Sequence, residues 1–281
     1  MFYTDGSNAK DFIENDIELL KSEYEEYYNI LTQAELSPVN IIMCSSLTTE
    51  RHNAFEKIIL IYENRIVVLK KVNGSISKYN IEYNDINYIV IEGLPKPVCL
   101  NIYYKEEGRE RIFFDSFAEE IMNKLVKELR KLVIHGRGTV EAVKLFEYNN
   151  EEPLYIGKTL TTEALFKNQI SVCELYQRRV YDRYWSIFRK IITQTHYSVV
   201  SNNEMVVFKE KYEPMDDKDI CGDLIFIPLN SVKNVSLEST DKGMVLKYMF
   251  STMKTFELFY QNEKTDELLK AMSYINGVIQ A

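Results

Sequence analysis

At 281 residues, with 46% hydrophobic and 27% charged side chains, the chain has the composition of a globular protein with room for one large or two ordinary domains. A formal net charge of −8 argues against general nucleic-acid binding, which needs a basic surface to neutralise phosphates. No apolar run approaches the roughly 20 residues that cross a bilayer, and MFYTDGSNAKDF lacks the basic and apolar segments of a secretory signal, so the expectation is a cytoplasmic protein without a transmembrane segment.

Residues from about Lys10 to Leu36 read as one helix, because Ile13, Ile17, Leu20, Tyr24, Tyr27 and Leu31 recur at three- and four-residue spacing. Eight carboxylates against Lys10 and Lys21 make its other face acidic. Such a helix must pack on the sheet that follows or on a partner. After Pro38 the pattern becomes strand grammar, with strands expected near 39–45, 57–62, 65–71, 76–82, 86–92, 98–105 and 110–115. Glu63-Asn64 is expected to make a tight hairpin turn with Asn at a positive backbone angle. From about Phe117 to Val133 the period changes to helical, with Lys127, Arg130 and Lys131 in the last turn where the helix dipole favours cations.

The second half repeats this order. Ile81 to Phe114 recurs as Ile227 to Tyr260 at an offset of 146 without a gap, aligning Ile86 with Val232, Leu100 with Leu246 and Ile112 with Leu258; Asn84/Asn230 and Glu92/Glu238 are identical. A period this long marks a duplicated domain. Leu154 to Thr159 reads as a strand, 199–200 and 205–209 as a hairpin about Asn202-Asn203, and Thr265 to Ile275 as the closing helix. Leu47-Thr48-Thr49-Glu50 returns as Leu160-Thr161-Thr162-Glu163, which implies 26 additional residues between the first two strands of the second copy.

That extra segment contains ELYQRRVYDRYWSIFRKII. On a helical wheel Tyr176, Val180, Tyr181, Tyr184, Trp185, Ile187, Phe188, Ile191 and Ile192 take one half, and Arg178, Arg179, Asp182, Arg183, Arg189 and Lys190 the other. The expectation is a basic amphipathic helix, and Arg178, Arg179, Arg183, Trp185, Arg189 and Lys190 form the candidate interaction surface. Three uses stay open: a structural helix buried on its own sheet, a protein or oligomer interface, and a peripheral contact with anionic lipid. Rings and cations on opposite faces make single-stranded nucleic acid a weak fit.

Catalytic chemistry is not signalled. GxSxG, P-loop, GxGxxG and HExxH motifs are absent, His52, His135 and His196 read as loop or helix-end residues, and Asp216, Asp217, Asp219 and Asp223 as a solvated acidic loop without the EF-hand order. Cys44, Cys99, Cys173 and Cys221 lie far apart with no CxxC, as reduced buried thiols do. Neither a cofactor nor a metal is expected. Nothing selects a carboxylate pair for acid–base work, so an enzyme of unidentified type is the remaining alternative to a binding protein.

Seven short strands and one C-terminal helix, with the hairpin ILIYENRIVVLKK followed by IEYNDINYIVIE, resemble the pleckstrin-homology-like domains of bacterial proteins. The resemblance implies an α+β fold of two such domains, each an antiparallel sheet or partly open barrel closed by its helix. Together with the periodicity read above, it divides the chain into an acidic N-terminal helix over 1–37, a first domain over 38–138, and a second over 139–281 with a helical insertion near 166–195. It also implies a non-catalytic scaffold for peptides, lipid headgroups or neighbouring subunits, with a protein partner or homo-oligomer foremost. Lipid-binding members cluster Lys and Arg in the loop joining the first two strands. Here TTERHNAFEK departs from that pattern, setting Arg51, His52 and Lys57 among two glutamates.

Overall fold

The computed structural model of the chain describes residues 9–14, 17–48, 53–94, 99–113, 119–134, 161, 164–165, 169–184, 188–211 and 222–280. The first half runs β1 (Ala9–Glu14), α1 (Ile17–Glu23), α2 (Glu25–Tyr28), β2 (Asn40–Cys44), β3 (Leu47–Thr48), β4 (Asn53–Ala54), β5 (Lys57–Ile61), β6 (Arg65–Val72), β7 (Ser75–Glu82), β8 (Ile86–Leu94), β9 (Cys99–Tyr104), β10 (Gly108–Phe113) and α3 (Glu119–Ile134). The second runs β11 (Ser171–Gln177), β12 (Val180–Tyr184), β13 (Phe188–Thr193), β14 (His196–Ser201), β15 (Glu204–Glu210), β16 (Gly222–Pro228), β17 (Val232–Ser239), β18 (Met244–Phe250), β19 (Thr255–Tyr260) and a final helix, α4 (Thr265–Gln280). The class is mixed α+β with antiparallel sheets, none closed into a barrel.

The repeated block keeps its structure. Tyr83–Asp85 and Leu229–Ser231, 146 residues apart, are both single 3-10 turns leading from a long strand into a three-stranded meander and a helix. In each half a four-stranded antiparallel run precedes that turn: β2-β5-β6-β7 in the first and β11-β14-β15-β16 in the second. The register pairs Cys44 with Lys57 and Gln177 with His196, leaving residues 45–56 between the first two strands of one half and 178–195 in the other. The connection is therefore six residues longer (eighteen against twelve), not 26. Leu47-Thr48 follows the first strand of its half whereas Thr161 precedes β11, so the four-residue echo does not mark equivalent positions.

Two local expectations change. The β5–β6 turn closes without a positive φ at Asn64, and the paired left-handed angles sit at Asn73 (φ 51°) and Gly74 (φ 80°) between β6 and β7, the geometry of a tight two-residue hairpin. The single helix expected over 10–36 is instead a strand, β1, paired antiparallel with β2, followed by two short helices broken at Tyr24 (φ −132°). Its apolar spacing holds from Ile17 onward: Leu20 and Tyr27 are buried against Ile41, Met43, Ile58, Leu60, Val67 and Leu69 on the outer face of the first sheet. Tyr27 donates to Glu56 at 2.7 Å and Tyr62 to the Glu35 carbonyl at 2.6 Å, tying this segment down. The N-terminal helices thus pack on their own sheet, and IILI and IVVL are apolar on both faces because both faces are covered.

The halves are joined through their sheets. Strand β8 of the first pairs antiparallel with β16 of the second, Ile89 opposite Phe226, Val90 opposite Ile225 and Ile91 opposite Leu224, giving one seven-stranded sheet in the order β10-β9-β8-β16-β15-β14-β11. Alternate residues of the seam enter different cores. Ile89, Ile91, Leu224 and Phe226 pack with Val206, Phe208 and the α3 residues Met122, Leu125, Val126 and Leu129, whereas Val90, Ile225 and Ile227 pack with β17, β18, β19 and Leu268, Ala271 and Ile275 of α4. Each core is therefore built from both halves of the chain. The first core also holds a buried ion pair, Lys57–Glu110, with the Tyr79 hydroxyl donating to the same carboxylate.

Candidate functional site

The segment expected to be a basic helix is a β-hairpin. Strands β12 and β13 pair only with each other, in the register Tyr181 to Ile191, Asp182 to Lys190, Arg183 to Arg189 and Tyr184 to Phe188, with a bulge between Val180 and Tyr181. The residues explain the difference. Val, Tyr, Ile and Phe favour the pleated surface, and apolar residues spaced over so short a stretch fit a two-residue period as readily as a helical one. The hairpin fills the connection between β11 and β14, the place that β3 and β4 occupy in the first half.

Its base is fixed by specific contacts. Arg179 donates through Nε to Gln194 Oε1 at 2.8 Å and pairs through Nη2 with Glu210 at 3.3 Å, with both charged side chains largely buried. Gln177 donates to the Arg178 carbonyl at 2.7 Å and accepts from the Gln261 backbone at 2.8 Å, linking the hairpin to the end of β19. Asp182 pairs with Lys242 in the β17–β18 turn. Arg178 and Lys190 are exposed and have no carboxylate partner among the described residues, and Ile191, next to Lys190, is 37% exposed. The six candidate residues thus separate. Arg178 and Lys190 present unpaired charge, Arg179 is spent on anchoring, Arg183 and Arg189 face one another in register, and Trp185 lies outside the described residues.

Other expectations also resolve. His196 is not in a loop but on β14, 1% exposed, with Nδ1 at 3.1 Å from the Gln194 carbonyl and Nε2 unpartnered. Burial pushes it down to about 4, against the backbone hydrogen bond, with the Lys209 charge adding to the fall. Asp223 sits at the β8–β16 seam, accepting from the Gly93 backbone at 3.3 Å and pairing with Lys211 at 3.5 Å, so it belongs to the fold rather than to a solvated loop. Burial raises its carboxyl above the usual range. Asp216, Asp217, Asp219, His52, His135, Cys221 and the strand expected at 154–159 lie outside the described residues. Cys44, Cys99 and Cys173 are free and buried, pushed by burial up to about 12, about 11 and about 12. Among the described residues no three or more His, Cys, Asp or Glu gather as a metal would need, and no helix is long and apolar enough to cross a membrane.

Two polar groupings were not anticipated. Arg130, expected to serve the α3 dipole in solvent, instead reaches across to Glu204 on β15, Nε to Oε2 at 3.2 Å and Nη2 to Oε1, while Gln169 donates to Oε1 at 2.8 Å and the guanidinium lies 4.1 Å over Phe226. The second covers the β8–β9–β10 face, where Arg109 and Arg111 flank Asn101 and Tyr103 in cross-strand register. Arg-x-Arg on an alternating strand was its only sequence signal, since that spacing sets both cations on one face. Compared with known proteins, the chain matches no protein-family model and no curated protein sequence.

Proposed function

We propose that this chain is a non-catalytic binding protein built from two pleckstrin-homology-like units, and that it associates with a protein surface, foremost another copy of itself, through the β12–β13 hairpin. The order of four antiparallel strands, a 3-10 turn, three antiparallel strands and a helix, occurring twice, carries the proposal. The hairpin is where the second occurrence departs from the first, and it offers Arg178, Lys190 and Ile191 to solvent. Arg179 is tied to Glu210 in the base of the hairpin and so does not serve a headgroup layer, which favours a protein partner over lipid. An acidic counterpart exists on the same chain: Glu23 and Glu25 at the α1–α2 junction are exposed and make no ion pair among the described residues. A hairpin-to-helix contact between copies can be made twice across a two-fold axis in a dimer, or once per junction in a ring or open chain.

Sedimentation velocity over a concentration series tests this. The expected result is a sedimentation coefficient that rises with concentration, falls with added salt, and stays at the monomer value in Arg178→Glu with Lys190→Glu. A monomer at every concentration that instead partitions onto phosphatidylserine vesicles in an Arg178- and Lys190-dependent way would replace the protein partner by the membrane.

A further inference from the structure

The face of β8, β9 and β10 that Val90 and Tyr103 share with the second core carries an arrangement that neither the duplication nor the hairpin explains. Asn101 is fully buried. Its Oδ1 accepts from Arg109 Nε at 2.9 Å, which fixes the amide orientation, and its Nδ2 is left with no acceptor and no solvent. Directly opposite in register stands Arg111, whose Nε is likewise buried and without an acceptor. Two adjacent orphan donors on one strand pair are rare in folded proteins and point to a missing acceptor.

The charges around them point the same way. Arg109 pairs with Glu92 at 3.1 Å, and Glu92 is shared with Lys211 at 3.8 Å. Among the described residues Arg111 has no carboxylate partner; its guanidinium lies against the buried Cys99 thiol and over the Phe113 ring at 5.1 Å. From the second half Lys254 brings its ammonium to 4.7 Å from the centre of the Tyr103 ring, on which Arg109 also lies, at 5.1 Å. Lys254 makes no ion pair among the described residues, and desolvation together with Arg109 lowers its pKa, with Glu107 opposing. A bound water would satisfy the Asn101 and Arg111 donors but leave the Arg111 and Lys254 charges uncompensated, whereas an anion serves both needs. Asn101 offers one free donor and the Arg111 guanidinium several, which a phosphate with its several acceptor oxygens can meet together. Strand β10 is the edge of the seven-stranded sheet, and the Arg109 side chain is one-third exposed there.

We infer that the β9–β10 end of this face binds a phosphate group, held by Asn101 Nδ2 and the Arg111 guanidinium, with Arg109 orienting Asn101 and Lys254 approaching from the other half of the chain. The site is separate from the hairpin and stands or falls independently of the proposed self-association.

Titration of the full chain with inorganic phosphate at constant ionic strength, followed calorimetrically and by phosphorus NMR line width, tests it. A parallel arm measures co-flotation with phosphatidylcholine vesicles with and without phosphatidic acid. Expected is saturable phosphate binding that weakens at least tenfold in Arg111→Met and in Asn101→Ala, and is unchanged in Lys270→Glu, at an exposed position of α4. Circular dichroism verifies that each variant is folded, and Arg111→Lys, which keeps the charge but not the fork, loses part of the affinity. Binding confined to phosphatidic acid vesicles with the same Arg111 dependence keeps the phosphate chemistry and assigns its source to a lipid headgroup. If neither arm binds, or if binding is indifferent to both substitutions and so reports an adventitious ion only, the donors hold a water and the inference is overturned.

Discussion

Replacing Arg130 by Met is the most direct probe of how the halves hold together. The side chain of Glu204 is 0% exposed and that of Arg130 7%, so removing the guanidinium leaves a carboxylate with only Gln169 at 2.8 Å to compensate it. Stranding one member of a buried pair costs about 3–5 kcal/mol, and Met keeps much of the packing over Phe226. For a chain of this size about 2 °C of Tm follows each kcal/mol, so a fall on the order of 10 °C is expected by scanning calorimetry. Because each core draws on both halves, the wild type should unfold in one transition, and Arg130→Met should lower that transition without splitting it. The double variant Arg130→Met with Glu204→Leu should recover a large part of the loss, since it removes the stranded charge. A loss under about 1 kcal/mol in the single variant, or no recovery in the double, would refute a buried ion pair as the latch between the halves.

Three further outcomes are expected. His196 sits below its unfolded value of about 6.5, so its contribution is complete above that pH and is lost as pH falls towards about 4; on the order of 3 kcal/mol should vanish between pH 7 and 4 in urea titrations, and His196→Phe should flatten the curve. Gly222→Ala should destabilise by about 1–3 kcal/mol, read from the denaturation midpoint, because a Cβ there would lie 2.5 Å from the Phe208 ring and 2.8 Å from the Lys209 carbonyl, next to the bulge that begins the β16–β8 seam. Cys44, Cys99 and Cys173 should resist alkylation at pH 8 in the native protein and react on unfolding, as peptide mass mapping will show.

Most strands were legible because apolar runs are punctuated by Asn and Gly, and because Ile81–Phe114 appears twice, so that β8–β10 and β17–β19 validate one another. The N-terminal segment misled because Ile13 continues the stripe of Ile17 and Leu20 by spacing, while the open edge of β2 recruits residues 9–14 as a strand, a tertiary effect that local periodicity does not contain. The hairpin was missed for a related reason. Tyr181, Arg183, Arg189 and Ile191 satisfy a helical wheel and a strand register alike, and nothing local decides between them. The seam did leave a trace that was available. Ile89-Val90-Ile91 and Leu224-Ile225-Phe226 are apolar without alternation, the mark of strands buried on both faces, which a half sheet with one solvated side does not require. Arg130 and Asn101 left none, because a buried cation and an orphan amide look in sequence like any polar surface residue.

The pairing of β8 with β16 also changes what the chain between the halves is for. If each half supplies part of the other's interior, the covalent connection serves mainly to keep the two at high mutual concentration, and residues 1–138 and 139–281 made as separate polypeptides behave as complementing fragments. Alone, each exposes a bare strand edge and an apolar sheet face and is prone to aggregate; synthesised together, each is the template on which the other completes its fold. The two halves are in that sense mutually dependent subunits that share one chain.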